Sequence, residues 1–416
     1  MDGYTEKIIT NKRYPIMNRI YFLAIALSCI YIKAQSQDIA SVLRSVERNN
    51  MELKVLHNDN QAAIFEIKDR NSLESPSVEY SPFFRKGASG VASSELVVSQ
   101  DFDFPTLYAT RHKSGKLQQE AINLEYMTLR RNILLDAKQK CLELVLLNLT
   151  RDVLKERADN AGELLVLFEK KFKEGDATII ELNKIKMEQM DLQAEMLQNE
   201  SSRQNIIRAL TAMNGNKPLS LDSISYPEIT ATYTENGMLV KGSALSLQEE
   251  IIASDAVIRT AEAAVRMAEQ EIKVSKQGWL PKLSIGYRRN TEMDESSNGF
   301  LVGAAFPIFS NTNKVKAAKS KQVAAQLNLD NTRMKVENET ETIINEFRRL
   351  GETLRIYDMT MIRQSVAALK KAVVTGNMSL IDYYNEVDKI YQKQQTFLAV
   401  ENQYHNLWAT LNKNRL

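Results

Sequence analysis

From Gly376 to the C-terminus the chain carries one apolar stripe. Tyr383, Val387, Ile390, Phe397, Tyr404, Trp408 and Leu411 recur at steps of three and four or their sums, the period of an α-helix buried on one side. A second stretch of the same layout opens at Gly175, and both run 35 positions from glycine to leucine, Gly175 to Leu210 and Gly376 to Leu411. Thr178 lines up with Ser379, Ile180 with Ile381, and Glu181 with Asp382. Each is preceded by a much longer helical pattern. The first is predicted over 106–173, with Ile122, Leu129, Leu144, Leu154, Ala161 and Phe168 on its stripe. The second opens after Phe306 and Pro307, with Asn311 or Thr312 as its cap, and runs to about Val374. At 1.5 Å per residue the first is roughly 100 Å long. Such a rod packs only against equally long neighbours, as coiled coils do.

Two short alternating segments precede each long helix. Val78 and Tyr80 alternate with Ser77, Glu79 and Ser81, and then Leu96, Val98, Phe102 and Phe104 with Val97, Ser99, Asp101 and Asp103. In the second half Leu283, Ile285 and Tyr287 alternate with Ser284, Gly286 and Arg288; Phe300, Val302, Ala304, Phe306 and Ile308 mark the fourth segment. Period two marks strands with one apolar and one polar face. Turns are expected at 85–94 and 289–298. Half-length helices, at 38–71 and 245–276, stand before the two strand pairs. The order helix, strand, strand, long helix, glycine, helix therefore occurs twice. Residues 36–213 form the first repeat and 241–416 the second; 214–240 read as a linker with one short strand. Each half-length helix, stacked end to end on the helix after the glycine, matches the long helix in length.

Composition narrows the class. With 54 basic and 52 acidic side chains in 416 residues, no charge excess favours nucleic acid. Met17, Asn18 and Arg19 precede an apolar run from Ile20 to Ile32, then Lys33, Ala34 and Gln35. That is the layout of a secretory signal peptide, so 1–34 is expected to be an address, with residues 1–16 as an upstream start artefact. The run is too short to span a membrane as a helix. Cys29 is the one alternative, a lipid-anchor cysteine, although Ala26 and Leu27 fit such a box poorly. Cys141 would then be the sole remaining cysteine, a small core residue on an apolar helix face. His57, His112 and His405 are never at ligand spacing, and no nucleophile or phosphate motif appears. An enzyme, a metal centre and a cofactor are not expected.

The fold class that follows is mainly α with membrane β. Four strands cannot close a barrel, and an open edge does not survive in lipid. Several copies must share one barrel: two give eight strands, just wide enough to be filled by side chains, and three give twelve, wide enough for a lumen, continued by a hollow α-helical barrel.

At this point the chain resembles the TolC family of outer-membrane efflux proteins. The resemblance runs from about residue 36 to 414 and rests on the proline-ended strands at Pro105 and Pro307 and on the glycine turns followed by Ile180, Glu181 and Ile381, Asp382. It implies a homotrimer in outer-membrane lipid, reaching through the periplasm of a Gram-negative bacterium. It further implies a periplasmic adaptor and an inner-membrane efflux transporter as partners. The tips would lie at Gly175, Asp176, Gly376, Asn377 and Met378, where the adaptor docks. Asp382 matches an acidic aperture position; Asn385 matches the next but is not acidic. Glu181 and Lys184 are their counterparts in the first repeat, and Met378 stands where some members carry a latch-forming basic residue. The competing expectation is a periplasmic adaptor or coiled-coil scaffold with no membrane barrel. Duplicated strand pairs separate the two.

Overall fold

A computed structural model describes residues 38–416 except 88, 222–223, 230, 235–236, 241–246, 293–294 and 309–312. The expected signal segment and the Asn311 or Thr312 cap lie outside the described residues.

The first half-length helix is two helices, α1 (Ile39–Asn49) and α2 (Met51–Asp69), parted at Asn50. Asn50 is buried; its side chain accepts from the Leu53 N–H and donates to the Met213 carbonyl. It thus caps α2 and holds the end of a later helix. Strands β1 (Ser77–Phe83) and β2 (Ser93–Phe102) follow, then α3 (Pro105–Glu174), 70 residues without a break. Pro105 is the first helical residue, where its missing N–H costs nothing. Helix α4 (Ile179–Met213) returns along α3. The second repeat contains α5 (Leu247–Ser254), α6 (Ala256–Gln277), β5 (Lys282–Glu292), β6 (Glu295–Ala305), α7 (Lys314–Ile356), α8 (Met359–Val374) and α9 (Leu380–Leu411).

Several boundaries differ from the sequence expectation. The 245–276 helix is broken at Asp255, which is buried and caps α6 through hydrogen bonds from the Val257 and Ile258 N–H groups. Asp255 thus repeats the part of Asn50. The second long helix does not run unbroken to Val374. Tyr357 leaves it in an extended conformation, and the Asp358 side chain caps a new start by accepting from the Met361 N–H. The linker holds two short strands rather than one, β3 (Ala231–Thr234) and β4 (Gly237–Val240), paired as a hairpin. Most of the 289–298 turn is strand, because β5 and β6 pair as far as Glu292 and Glu295. Phe104, Phe306 and Ile308 lie beyond the strand ends.

The four long strands form one antiparallel sheet in the order β1-β2-β5-β6. Opposed residues share a face, so the register sorts every side chain. One face carries Val78, Tyr80, Leu96, Val98, Ile285, Tyr287, Phe300 and Val302. The other carries Ser77, Glu79, Glu95, Ser99, Asp101, Ser284 and Arg288. The apolar face is bare: Phe300 is 93% and Val302 83% exposed. Among the described residues, edges β1 and β6 have no partner on their outer sides.

Helical layers hang from the sheet. At mid-height Leu134, Ala137, Cys141 and Val145 of α3 meet Val42 and Val46 of α1, Leu210 of α4, Ile224 of the linker and Ala409 of α9. Burial among these groups pushes the Cys141 thiol up to about 12, which makes it inert. The columns stack end to end as expected: the Asn214 side chain, just past α4, accepts from Ser45 and Asn49 of α1. Asn414, just past α9, donates to the Ile251 carbonyl and Ser254 at the end of α5.

Candidate functional site

The end of the molecule remote from the sheet is built by the two glycine turns. Gly175 and Gly376 have φ of +84° and +78°, a region closed to most L-residues. In each turn the glycine N–H reaches back to the carbonyl three residues earlier (Phe172, Val373), and the next N–H reaches back five (Lys171, Ala372). Two Schellman closures of one design therefore end α3 and α8. The next helices start alike. Thr178 accepts from the Glu181 N–H at 3.2 Å while the Glu181 carboxylate accepts from the Thr178 N–H at 2.8 Å, a capping box. Ser379 accepts from the Asp382 N–H at 3.1 Å and donates its hydroxyl to the Asp382 carboxylate at 2.7 Å.

Both tips stand side by side. Phe168, Ile185, Val373, Leu380, Tyr383, Tyr384 and Val387 share one cluster, against which Ala177 and Met378 pack. Gly175, Asp176, Gly376 and Asn377 are exposed, whereas Met378 is half-buried. Asp382 and Asn385 are exposed at the start of α9; Glu181 and Lys184 are half-buried at the start of α4. Lys184 bridges the two starts, its Nζ 5.5 Å from the Tyr384 ring centroid. Burial pushes the Tyr383 and Tyr384 phenols above their ordinary range, so both stay neutral and act as packing groups.

One constellation above the tips escapes the apolar stripes. Arg157 of α3 reaches Glu188 of α4 at 3.0 Å, Glu195 of α4 at 3.5 Å and Asp388 of α9 at 3.9 Å. Its guanidinium lies 4.8 Å from the Tyr391 ring centroid. Asn160 donates to the Tyr391 hydroxyl and accepts from Lys370 of α8. Desolvation raises the Glu188 carboxyl despite Arg157, and Asp388 adds to the rise. This node ties α3, α4, α8 and α9 together. A signal for it exists in the numbering: Glu188 stands thirteen positions after Gly175 and Asp388 twelve after Gly376, so both carboxylates sit at nearly one height above the tips.

No group of three potential metal ligands comes together among the described residues, and no described helix is long and apolar enough to cross a membrane. The latter says nothing of a β-barrel.

Comparison with known proteins gives three results. Residues 247–414 match the family model described as "Outer membrane efflux protein". No curated protein matches the sequence. Among solved structures, the fold is similar to that of CusC, with a TM-score of 0.71, 15% identity, and coverage of 90% of this chain and 91% of that one. It is similar to a membrane protein from Pseudomonas aeruginosa, with a TM-score of 0.72, 15% identity, and coverage of 90% and 93%. It is also similar to VceC from Vibrio cholerae, with a TM-score of 0.71, 13% identity, and coverage of 90% and 95%. At such identities the likeness is one of fold. The second repeat thus matches the outer membrane efflux protein family in sequence, and the chain as a whole shares the fold of these solved proteins.

Proposed function

We propose that the protein is the outer-membrane exit duct of a tripartite efflux or secretion system, acting as a homotrimer with a periplasmic adaptor and an inner-membrane transporter. One observation carries this reading: a sheet with a bare apolar face and two free edges stands on helical columns about 100 Å long. A sheet of this kind suits lipid only when its edges are closed by further copies. Three copies give twelve strands, enough to leave a lumen.

The outermost helices support closure at two heights. On the helices that adjoin the sheet in sequence, α2 leaves Met51, Val55 and Phe65 bare on one stripe and α7 leaves Val323, Leu327 and Met334 bare on another. Near the tips, α4 exposes Ile180, Met187, Met190 and Leu197, and α8 exposes Met361 and Val374. Counted from the glycine turns, Met190 and Met361 stand at equal heights, fifteen positions from Gly175 and Gly376. Each stripe suits the opposite flank of a neighbouring copy. An adaptor or coiled-coil scaffold without a barrel does not account for a duplicated strand pair with a bare apolar face.

In this reading Gly175, Asp176, Gly376, Asn377 and Met378 form the adaptor-docking tips. Asp382, with Asn385 beside it, lines the narrow periplasmic mouth, and Glu181 and Lys184 flank it. Three Asp382 carboxylates near one axis would attract cations. Asp382→Asn keeps an acceptor for the Ser379 hydroxyl while removing the charge, so the helix start survives. In planar bilayers this variant is expected to conduct more, or to lose block by divalent cations, relative to Asp330→Asn in the middle of α7. Equal behaviour of the two variants would reduce Asp382 to a helix-capping residue.

A further inference from the structure

The polar face of the sheet is unbalanced in charge. Glu79, Glu95, Asp101, Glu292 and Glu295 lie on it, against two cations, Lys282 and Arg288. Both cations are already engaged. Arg288 meets Glu95 at 2.8 Å, and Lys282 meets Glu74, just before β1, at 2.7 Å. The Glu95–Arg288 contact also verifies the facing, because it joins residues that the register places on one side. Glu79, Asp101, Glu292 and Glu295 stand outside any salt bridge among the described residues. They are spread along the strands rather than gathered. Asp101 lies at the helical end, Glu79 in the middle and the other two at the far end. On the opposite face the sole charge among the described strand residues is Arg289, near that far end.

Resting on the exit-duct reading, we infer that the wall of the β-barrel is itself an electrostatic filter that favours cationic and disfavours anionic solutes, independently of the periplasmic mouth. Three copies bring around one lumen twelve carboxylates that form no salt bridge among the described residues, with only Asp101 also within the field of Lys282. Rings of Asp and Glu select cations in pores, since a narrow low-dielectric passage focuses their field. Single Asp or Glu residues on a solvated strand face are ordinarily unremarkable; here the cations that would offset them are bound elsewhere. Small side chains on the same face, Ser77, Ser99 and Ser284 with Gly286 and Gly303, leave the carboxylates unscreened by bulk. The cargo class this suits is cationic or zwitterionic solutes, with anions admitted less readily.

The test is the reversal potential of the full chain in planar bilayers under a KCl gradient. Wild type is expected to pass potassium in preference to chloride. Raising the salt from about 0.1 M to about 1 M should shrink that preference as the Debye length falls from about 10 Å to about 3 Å. The variants Glu79→Gln with Asp101→Asn, and Glu292→Gln with Glu295→Gln, should each lower the permeability ratio, by about twofold or more when combined. Asp382→Asn serves as the comparison at the other end of the tube. A wild type that prefers chloride or neither ion overturns the inference, as does an unchanged ratio in the combined variant while Asp382→Asn abolishes selectivity. Should a wall variant fail to assemble, Asp382→Asn decides: cation preference retained in it supports the inference, and preference abolished in it overturns it. A wild type that forms no conducting pore contradicts the exit-duct reading itself.

Discussion

Arg157 joins α3 to α4 and α9 through three carboxylates. Its side chain is 11% exposed and that of Glu188 13%, so the pair is largely withdrawn from solvent. Arg157→Met would leave Glu188 buried beside Asp388 with only the weaker influence of Lys184 to offset it. Removing one partner of a buried pair typically costs about 3–5 kcal/mol, so thermal unfolding of the helical signal should move well down. Replacing Glu188 by Met as well should recover much of the loss, because well-packed apolar side chains can replace a buried pair at little cost. No recovery in the double variant would assign the loss to Glu195, Asp388 and Tyr391 instead. Periodicity hides the node, since a charge flanking an apolar stripe looks like any solvated position; only the matching distances of Glu188 and Asp388 from the two glycines point to it. Gly175, Gly376, Thr178 and Ser379 were legible, because a helix end demands a left-handed residue and an acceptor for its first N–H groups. Asp382 was singled out by resemblance alone, with Asn385 departing from the acidic pattern, and it also serves its own helix start, which spacing alone does not reveal.

At the scale of elements, strict alternation read the sheet faces correctly and the strand ends poorly. Val78, Tyr80, Leu96, Val98, Ile285 and Val302 share one face as expected, while β5 and β6 run through residues that composition marks as a turn. Cross-strand pairing overrides turn propensity there. The helix breaks at Asn50, Asp255 and Tyr357 were invisible because the apolar period stays nearly in phase across each. Asn50 and Asp255 become caps only once the end of another helix is packed beside them. The exposure of Val302 carries a prediction. Val302→Arg should cost on the order of 2–4 kcal/mol if the residue faces the mid-bilayer. Leu301→Arg, one residue away and on the polar face, should be far milder. Outer-membrane fractionation of both variants checks this; equal tolerance would mean that neither face meets lipid.

In the proposed reading the whole molecule is one part of a closed ring. Two sheet edges, the flanks α2 and α7, and the flanks α4 and α8 are all left bare by a single chain, and each pair lies at matching height. Such a head-to-tail surface closes into a ring when the rotation permits. The repeat was legible because a 70-residue helix cannot bury its stripe alone. The equatorial hairpin β3–β4 was not, since two four-residue strands hardly rise above loop composition. The most direct measurement is the mass of the purified mature protein in detergent. Three copies per particle is the expected result. A stable monomer would leave the edges of β1 and β6 unpaired in lipid and would contradict the barrel.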